Sequence, residues 1–283
     1  MSIFWQFGKP CICLSDLDLI KRVLVTDSDH FYNGGLTSPD YIEAVGLQLG
    51  LVDARDEKHK ALKKLITPAF SGPRIKKLAG GMNRVGRLLV DHLRAKEKSG
   101  EEIKIQQALD YFSMTCIADV GFGTDANCFT HPDNAFLKYG KGLLEMWRFL
   151  VLIFLPNLTK WLRLPLFNPK SLKHFEKLCH SMVEQRKVSK VEKKDILDNL
   201  IKAGEENPLM TPDMMFKTMI QFFTDGFEGL SRVSSCIIYL IALHPEVQEK
   251  MVEEMEEVLG DRQDVTEEDT RNLGYIDQVC KNV

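Results

Sequence analysis

"DMMFKTMIQFFTDGFEGLSRVSSCIIYLIAL" occupies residues 213–243 and follows Thr211-Pro212, a pair typical of a helix start. Residues 214–223 and 234–243 are apolar on nearly every side, as in a helix buried inside a protein. The centre, Asp225-Gly226-Phe227-Glu228-Gly229, does not suit such a helix, because an interior glycine costs about 1 kcal/mol relative to alanine and a buried unpaired carboxylate costs more. We therefore expect a helix about 45 Å long that bends at this point around something.

The rest of the chain is mostly helical in pattern. At the front, β-favouring residues on both sides of Gly8-Lys9-Pro10 predict a short hairpin, and residues 30–53 have the glycines and proline of a loop. Apolar spacing predicts further helices at 17–24, 55–65, 75–98, 105–121, 135–155, 170–193, 195–203 and 245–259. The predicted fold class is mainly α, with a small N-terminal β portion.

Composition excludes several classes of protein. The 283 residues carry 37 Lys+Arg against 40 Asp+Glu, and 44% are hydrophobic, so the chain can build a core and is not a typical nucleic-acid binder. Its seven cysteines form no CxxC pair and no zinc spacing, which fits a reducing compartment. The start of the sequence has no signal-peptide pattern, and the apolar run at 149–156 is too short to span a bilayer, so we expect no anchor here.

Several stretches together resemble the cytochrome P450 family of haem-thiolate monooxygenases, in its eukaryotic microsomal form. The similarity follows the order of that family's N-terminal and central parts, and "LHPEVQEKMVEEMEEVLG" at 243–260 is the most specific stretch. The others are "FGKPCICLSDLDLIKRVLVTDSDHF" at 7–31, "HKALKKLITPAFS" at 59–71, "FGTDAN" at 122–127, "FFTDGFEGLS" at 222–231 and "NLGYIDQVCKNV" at 272–283. The resemblance implies one partial domain over residues 1–283, incomplete at both ends of the family fold.

The resemblance also implies haem as the cofactor, with electrons that come from NADPH through a reductase. In the family the axial cysteine lies in a Phe-x-x-Gly-x-x-x-Cys-x-Gly loop, and none of the seven cysteines has that setting. We therefore expect no metal ligand in these residues and an inactive chain in isolation. The alternative function is a truncated, noncatalytic product that binds lipophiles, membrane or the reductase.

The family's proton route falls on Glu228, with Asp225 and Gly226 at the bend. Gly229 stands where the family usually has a threonine beside the cofactor, so Thr224 or a water would have to replace that hydroxyl. The other reading of the two acids is that they form ion pairs without a catalytic role.

Two residues of the charged helix correspond to the family's haem-propionate ligands. His59 and Lys63 replace a tryptophan and an arginine, and their i, i+4 spacing keeps them on one helix face. The same basic segment, Lys58 to Lys64, matches the surface on which the family receives its reductase, although a run of lysines is also typical of a solvated face.

The resemblance implies a small lipophilic substrate and a position on the cytosolic face of the endoplasmic reticulum membrane. The aromatic and basic stretch from Trp147 to Phe167 is the predicted membrane contact, with a buried helix pair as the alternative. Five apolar residues are assigned to the substrate pocket, with simple core packing as the alternative: Leu47, Leu51, Phe216, Ile220 and Phe223.

Overall fold

The computed structural model describes residues 2–6, 9–31, 50–70, 72–189 and 195–282. An antiparallel hairpin of Ser2–Gln6 and Lys9–Cys13 opens the chain, with Trp5 opposite Pro10. The α-helices that follow are Leu17–Lys21, Gly50–Asp53, Asp56–Ile66, Gly72–Ser99, Ile105–Phe122, Ala135–Lys141, Met146–Phe154, Pro156–Leu162, Pro169–Ser189, Ile196–Glu206, Pro212–Thr224, Leu230–Leu243, Pro245–Leu259, Glu267–Asn272 and Gly274–Lys281. π-helical turns lie at Arg22–Thr26 and Asp225–Gly229, and 3-10 turns at Ser28–His30 and Thr67–Phe70. The predicted mainly helical fold with a front hairpin is confirmed.

The core lies where the supporting helix, Ile105–Phe122, packs against the central helix, Pro212–Leu243. Buried phenylalanines fill the space between them: the ring centroids of Phe122 and Phe136 are 5.5 Å apart, and those of Phe175 and Phe223 are 4.6 Å apart. Rings at these separations, in edge-to-face or tilted arrangements, pack favourably because their quadrupoles are complementary.

The single helix predicted at 135–155 is wrong: the chain folds as two helices that are separated after Lys141. Gly142 ends the first helix, and its N–H donates to the Lys138 carbonyl. Leu143 is buried, and Leu144 forms an isolated antiparallel β-bridge with Phe167. This bridge lies where the sequence predicts a continuous helix. The loop predicted at 30–53 also contains a helical turn, Gly50–Asp53.

A buried ion cluster joins the helices Pro169–Ser189 and Ile196–Glu206. The Arg186 guanidinium donates to both Asp195 carboxylate oxygens, at 2.5 and 3.3 Å, and also to Asp198. It reaches the Phe122 carbonyl at 3.4 Å, at the end of the supporting helix. Burial acts to lower the pKa of Arg186, but the two carboxylates raise it on balance, so the cation is held firmly.

The two halves of the central helix have different surroundings. Its first half is buried on most sides, whereas in Leu230–Leu243 only Ser231 is buried among the described residues. Large apolar side chains are exposed along that second half, including Val233, Tyr239 and Leu243. By length and composition alone the central helix could cross a membrane, and a core helix passes the same test.

Candidate functional site

A π-helical turn over Asp225–Gly229 lies at the position where the sequence predicts a bend in the central helix. The helix begins where the sequence predicts, because the Thr211 side chain accepts a hydrogen bond from the Met214 N–H at 3.1 Å and Pro212 occupies the first turn. A π turn bonds each N–H to a carbonyl five residues back, and such turns occur frequently at functional sites.

The two glycines of the turn differ in what requires them. A Cβ at Gly226 would overlap Ile117 Cδ1 and lie 3.2 Å from its Cγ1, so glycine allows the supporting helix to approach closely. A Cβ at Gly229 would meet nothing within 4 Å. Steric crowding therefore explains why residue 226 is a glycine. At Gly229 no such crowding is present, and the surface there is open.

The two acids of the turn lie near the surface. The Glu228 side chain is 32% exposed, and its carboxylate lies 3.5 Å from the Arg232 guanidinium, one turn further along. Asp225 is exposed, yet partial desolvation raises the pKa of its carboxyl, and a hydrogen bond from Gln221 offsets part of that rise. One acid is thus ion-paired and the other takes up a proton more easily than an ordinary aspartate.

The hydroxyls around the turn are already engaged. Thr224 Oγ1 donates back to carbonyls of its own helix, at 3.1 Å to Ile220 and 2.9 Å to Gln221. Ser231 Oγ donates to Asp110 Oδ1 at 2.7 Å and accepts from Gln106 Nε2 at 2.7 Å. Sequence reasoning flagged neither Gln106 nor Asp110; their i, i+4 spacing on a mostly apolar helix is the signal that could have found them.

His59 and Lys63 lie together in a groove of about 590 Å³ between the Asp56–Ile66 helix, here called the basic helix, and residues 23–31. Burial, and then the neighbouring Lys63 ammonium, lower the pKa of His59. The described lining combines apolar, basic, hydroxyl and acidic side chains: Val23, Leu24, Phe31 and Pro68, with His59, Lys60, Lys63 and Lys64, and with Ser28, Thr67 and Asp29. No residue of the central helix lines this groove, so the structure does not bring His59 and Lys63 into one cavity with Glu228.

The donor set of the groove fits the carboxylate end of a haem and not its iron. Ammonium and imidazole groups can bind propionates, whereas no cysteine is among the described residues that line the groove. Cys116, Cys128 and Cys179 are buried among helices, and burial raises the pKa of all three thiols, to about 12 for Cys116 and about 11 for Cys179. Among the described residues no cluster of three His, Cys, Asp or Glu could hold a metal.

Of the five residues assigned to the substrate pocket, three are packed in the core: Phe216, Ile220 and Phe223. Leu51 is partly buried, and its N–H donates to Gln221 Oε1 at 3.0 Å. Gly50, at φ +42°, allows this approach, because a Cβ there would lie 3.2 Å from Thr218 Cα. Leu47 lies outside the described residues.

The stretch from Trp147 to Phe167 forms two short helices, Met146–Phe154 and Pro156–Leu162, here called the aromatic helices. Trp147, Phe154 and Trp161 are 50%, 74% and 79% exposed, whereas Phe167 is buried. The Arg148 guanidinium lies 4.6 Å from the Trp147 ring centroid. These side chains form an exposed apolar surface with the Arg148 cation beside it. Phe167 is not part of that surface.

The model of the family described as Cytochrome P450 matches residues 1–283. Among similar curated proteins, Cytochrome P450 3A25 of Mus musculus is 27% identical over 98% of this chain and 57% of its own length. Cytochrome P450 9b2 of Drosophila melanogaster is 27% identical over 90% of this chain and 52% of its own length. Lithocholate 6-beta-hydroxylase of Mesocricetus auratus is 26% identical over 98% of this chain and 57% of its own length. The chain thus spans a little over half the length of the relatives it matches, and it belongs to the cytochrome P450 family.

Proposed function

We propose that this chain is part of a haem-dependent monooxygenase that inserts one oxygen atom of dioxygen into a small lipophilic molecule, with electrons from NADPH through a reductase. The observation that carries the proposal is the π-helical turn with its two acids, Asp225 and Glu228, in an otherwise apolar central helix. A fold keeps such a locally unfavourable feature where function uses it.

The haem supplies dioxygen activation when it is bound with a thiolate. On this chain, Lys63 and His59 would hold the propionate end, and Gly229, where a Cβ would meet nothing within 4 Å, would leave room beside the cofactor. Lys63 acts as a point charge, without the two-pronged hydrogen bonding of the arginine that it replaces.

Glu228 is the proton-relay acid of the route, and Asp225 supplies a second carboxyl group three residues before it. The raised pKa of Asp225 supports this role, because a carboxyl that takes up protons readily can also pass them on. Thr224 donates its hydroxyl to its own helix, so water completes the route in place of an alcohol. Gly226 holds the turn against the supporting helix.

The lipophilic substrate enters beside the Gly50–Asp53 turn, where Leu51 approaches the central helix. Ile220, Phe216 and Phe223 form the apolar floor behind it. The assignment of Leu47 to the substrate pocket stays a prediction from the sequence.

The reductase docks on the lysines of the basic helix, Lys58 to Lys64, which are all exposed. Complementary charge speeds such an encounter and makes it salt-dependent. Binding of an NADPH-dependent reductase should weaken in the Lys60→Glu and Lys64→Glu variants. The control, Lys177→Glu, changes an exposed lysine on another helix and should leave binding unchanged.

We further propose that the protein lies on the cytosolic face of the endoplasmic reticulum membrane, with the aromatic helices in contact with the lipid. Exposed Trp147, Phe154 and Trp161 supply the apolar contact. On lipid vesicles, Trp161→Ala should weaken binding, while Trp5→Ala removes an equally exposed tryptophan, 72% exposed on the hairpin, and should not. Equal losses in both variants would contradict the assignment.

A second candidate is a noncatalytic product that binds lipophiles, membrane or the reductase. It is favoured by the cysteines, since none of the seven lies at the haem groove. One experiment separates the two: titrate the purified 283-residue chain with haem, then reduce it and add carbon monoxide. We expect haem binding that weakens in Lys63→Gln, is unchanged in Lys187→Gln, and gives no thiolate-type carbon-monoxide spectrum. A thiolate-type spectrum would refute the noncatalytic candidate, and unchanged haem binding in Lys63→Gln would refute the propionate site.

A further inference from the structure

The supporting helix is attached to the central helix within the π turn and just beyond it. The Ile117 side chain packs against Gly226, where a Cβ would overlap its Cδ1 atom. Further along, Asp110 and Gln106 bind the Ser231 hydroxyl. The two helices run antiparallel here, and Glu228 lies between the two attachments.

The second attachment is a partly buried polar network centred on the buried Ser231 hydroxyl. Ser231 is 1% exposed, and its hydroxyl both donates and accepts at 2.7 Å. Gln106 Nε2 also donates to Asp110 Oδ1 at 3.1 Å, and Lys141 Nζ lies 2.8 Å from the other Asp110 oxygen. Burial acts to raise the pKa of Asp110, but its partners lower it on balance, so the carboxylate is charged. Charged hydrogen bonds in such surroundings fix geometry closely.

A π turn is a soft element that needs such fixing. Its i→i+5 bonds can revert to i→i+4, and a slip of one residue rotates the helix beyond it by about 100°. Ser231 is the one buried residue among the described residues of Leu230–Leu243. A slip of one residue would move it away from Asp110 and put Leu230 or Arg232 in its place. Neither side chain can both donate to the carboxylate and accept from Gln106.

We propose that the Gln106–Asp110–Ser231 network is a positioning device that fixes the register of the π turn and so the direction in which Glu228 points. Its purpose rests on the proton-relay role proposed for Glu228. The device itself consists only of residues in this chain and operates without haem.

The test is hydrogen–deuterium exchange of the 283-residue chain, read on peptides covering residues 222–233 and, for reference, on the Pro169–Ser189 helix. In Ser231→Ala we expect amides of the turn to exchange about tenfold faster or more, with the reference helix unchanged. Ser231→Thr restores the hydroxyl and should restore protection. Ser235→Ala is the matched control, because Ser235 Oγ donates only to the Ser231 carbonyl of its own helix, at 2.8 Å.

Asp110→Asn provides a second variant, which keeps the shape and should give the same local effect if Ser231→Ala does not fold. Faster exchange in all helices alike, or no change at the turn, would overturn the proposal. Glu228→Gln separates it from the proposed function: it should leave exchange at the turn unchanged. Failure of the proton-relay role would therefore leave the exchange results standing.

Discussion

Replacing Arg186 with methionine should leave two carboxylates buried without their cation. The side chains of Arg186, Asp195 and Asp198 are 8%, 4% and 10% exposed, so water cannot take over the lost hydrogen bonds. Removal of one partner from a buried ion pair costs about 3–5 kcal/mol, which is a large part of a typical folding free energy. For a chain of this size we expect the Tm to fall by roughly 5–8 °C.

Urea unfolding followed by circular dichroism measures the loss, with Lys187→Met as the control. That neighbouring residue makes only an exposed pair, 3.8 Å from Glu184, with side chains 52% and 73% exposed, so its removal should change stability by less than about 0.5 kcal/mol. Adding Asp195→Asn and Asp198→Asn to Arg186→Met should recover part of the loss, since the buried charges are then gone. The reasoning is refuted if Arg186→Met loses no more stability than Lys187→Met.

Three further predictions concern the core and its titration. The pKa of Asp110 in the folded chain is depressed below 3.8, so its contribution to stability is present above that value and is lost as the pH falls through the lower folded value. In urea titrations at acid pH, the difference in unfolding free energy between the unsubstituted chain and Asp110→Asn should therefore shrink. Gly140→Ala places a Cβ 2.7 Å from Phe223 Cζ, and this overlap should lower the free energy of unfolding by about 1–3 kcal/mol, offset by about 1 kcal/mol of helix propensity. The control, Gly86→Ala, meets nothing within 4 Å and should raise the free energy of unfolding in the same assay. The Cys116 thiol, with a pKa raised to about 12, should resist thiol reagents in mildly alkaline buffer until urea unfolds the chain; labelling at the rate of the exposed cysteines would contradict its burial.

Local signals predicted the central helix well. Thr211-Pro212 at its start, His244-Pro245 at its end and two acids with two glycines at its centre all act within a few residues. The break after Lys141 could not be predicted in this way. Leu143 and Leu144 fit an apolar helix face equally well, and what separates the helices is pairing with residues 167–168, which are distant in sequence.

In the candidate site, too, residues with a local signal can be predicted and residues that depend on distant partners cannot. Gly226 and Glu228 stand out in the sequence because they are costly where they lie. Ser231 looks unremarkable until Asp110, 121 residues earlier, is placed beside it. Arg186, Asp195 and Asp198 likewise look like ordinary polar helix residues in the sequence, because nothing in a single sequence says which charges become buried together.

The π turn also gives the central helix a tolerance to changes in its length. A turn that bonds i to i+5 holds one more residue than the α-helical turn that could replace it. Deleting Gly229, whose Cβ position meets nothing within 4 Å, could convert the turn to ordinary helix and leave Ser231 opposite Asp110. The same deletion elsewhere in the helix would rotate every later residue by about 100°. Insertions and deletions in this helix are therefore best tolerated at 225–229, and a family can vary its length there without rebuilding the core.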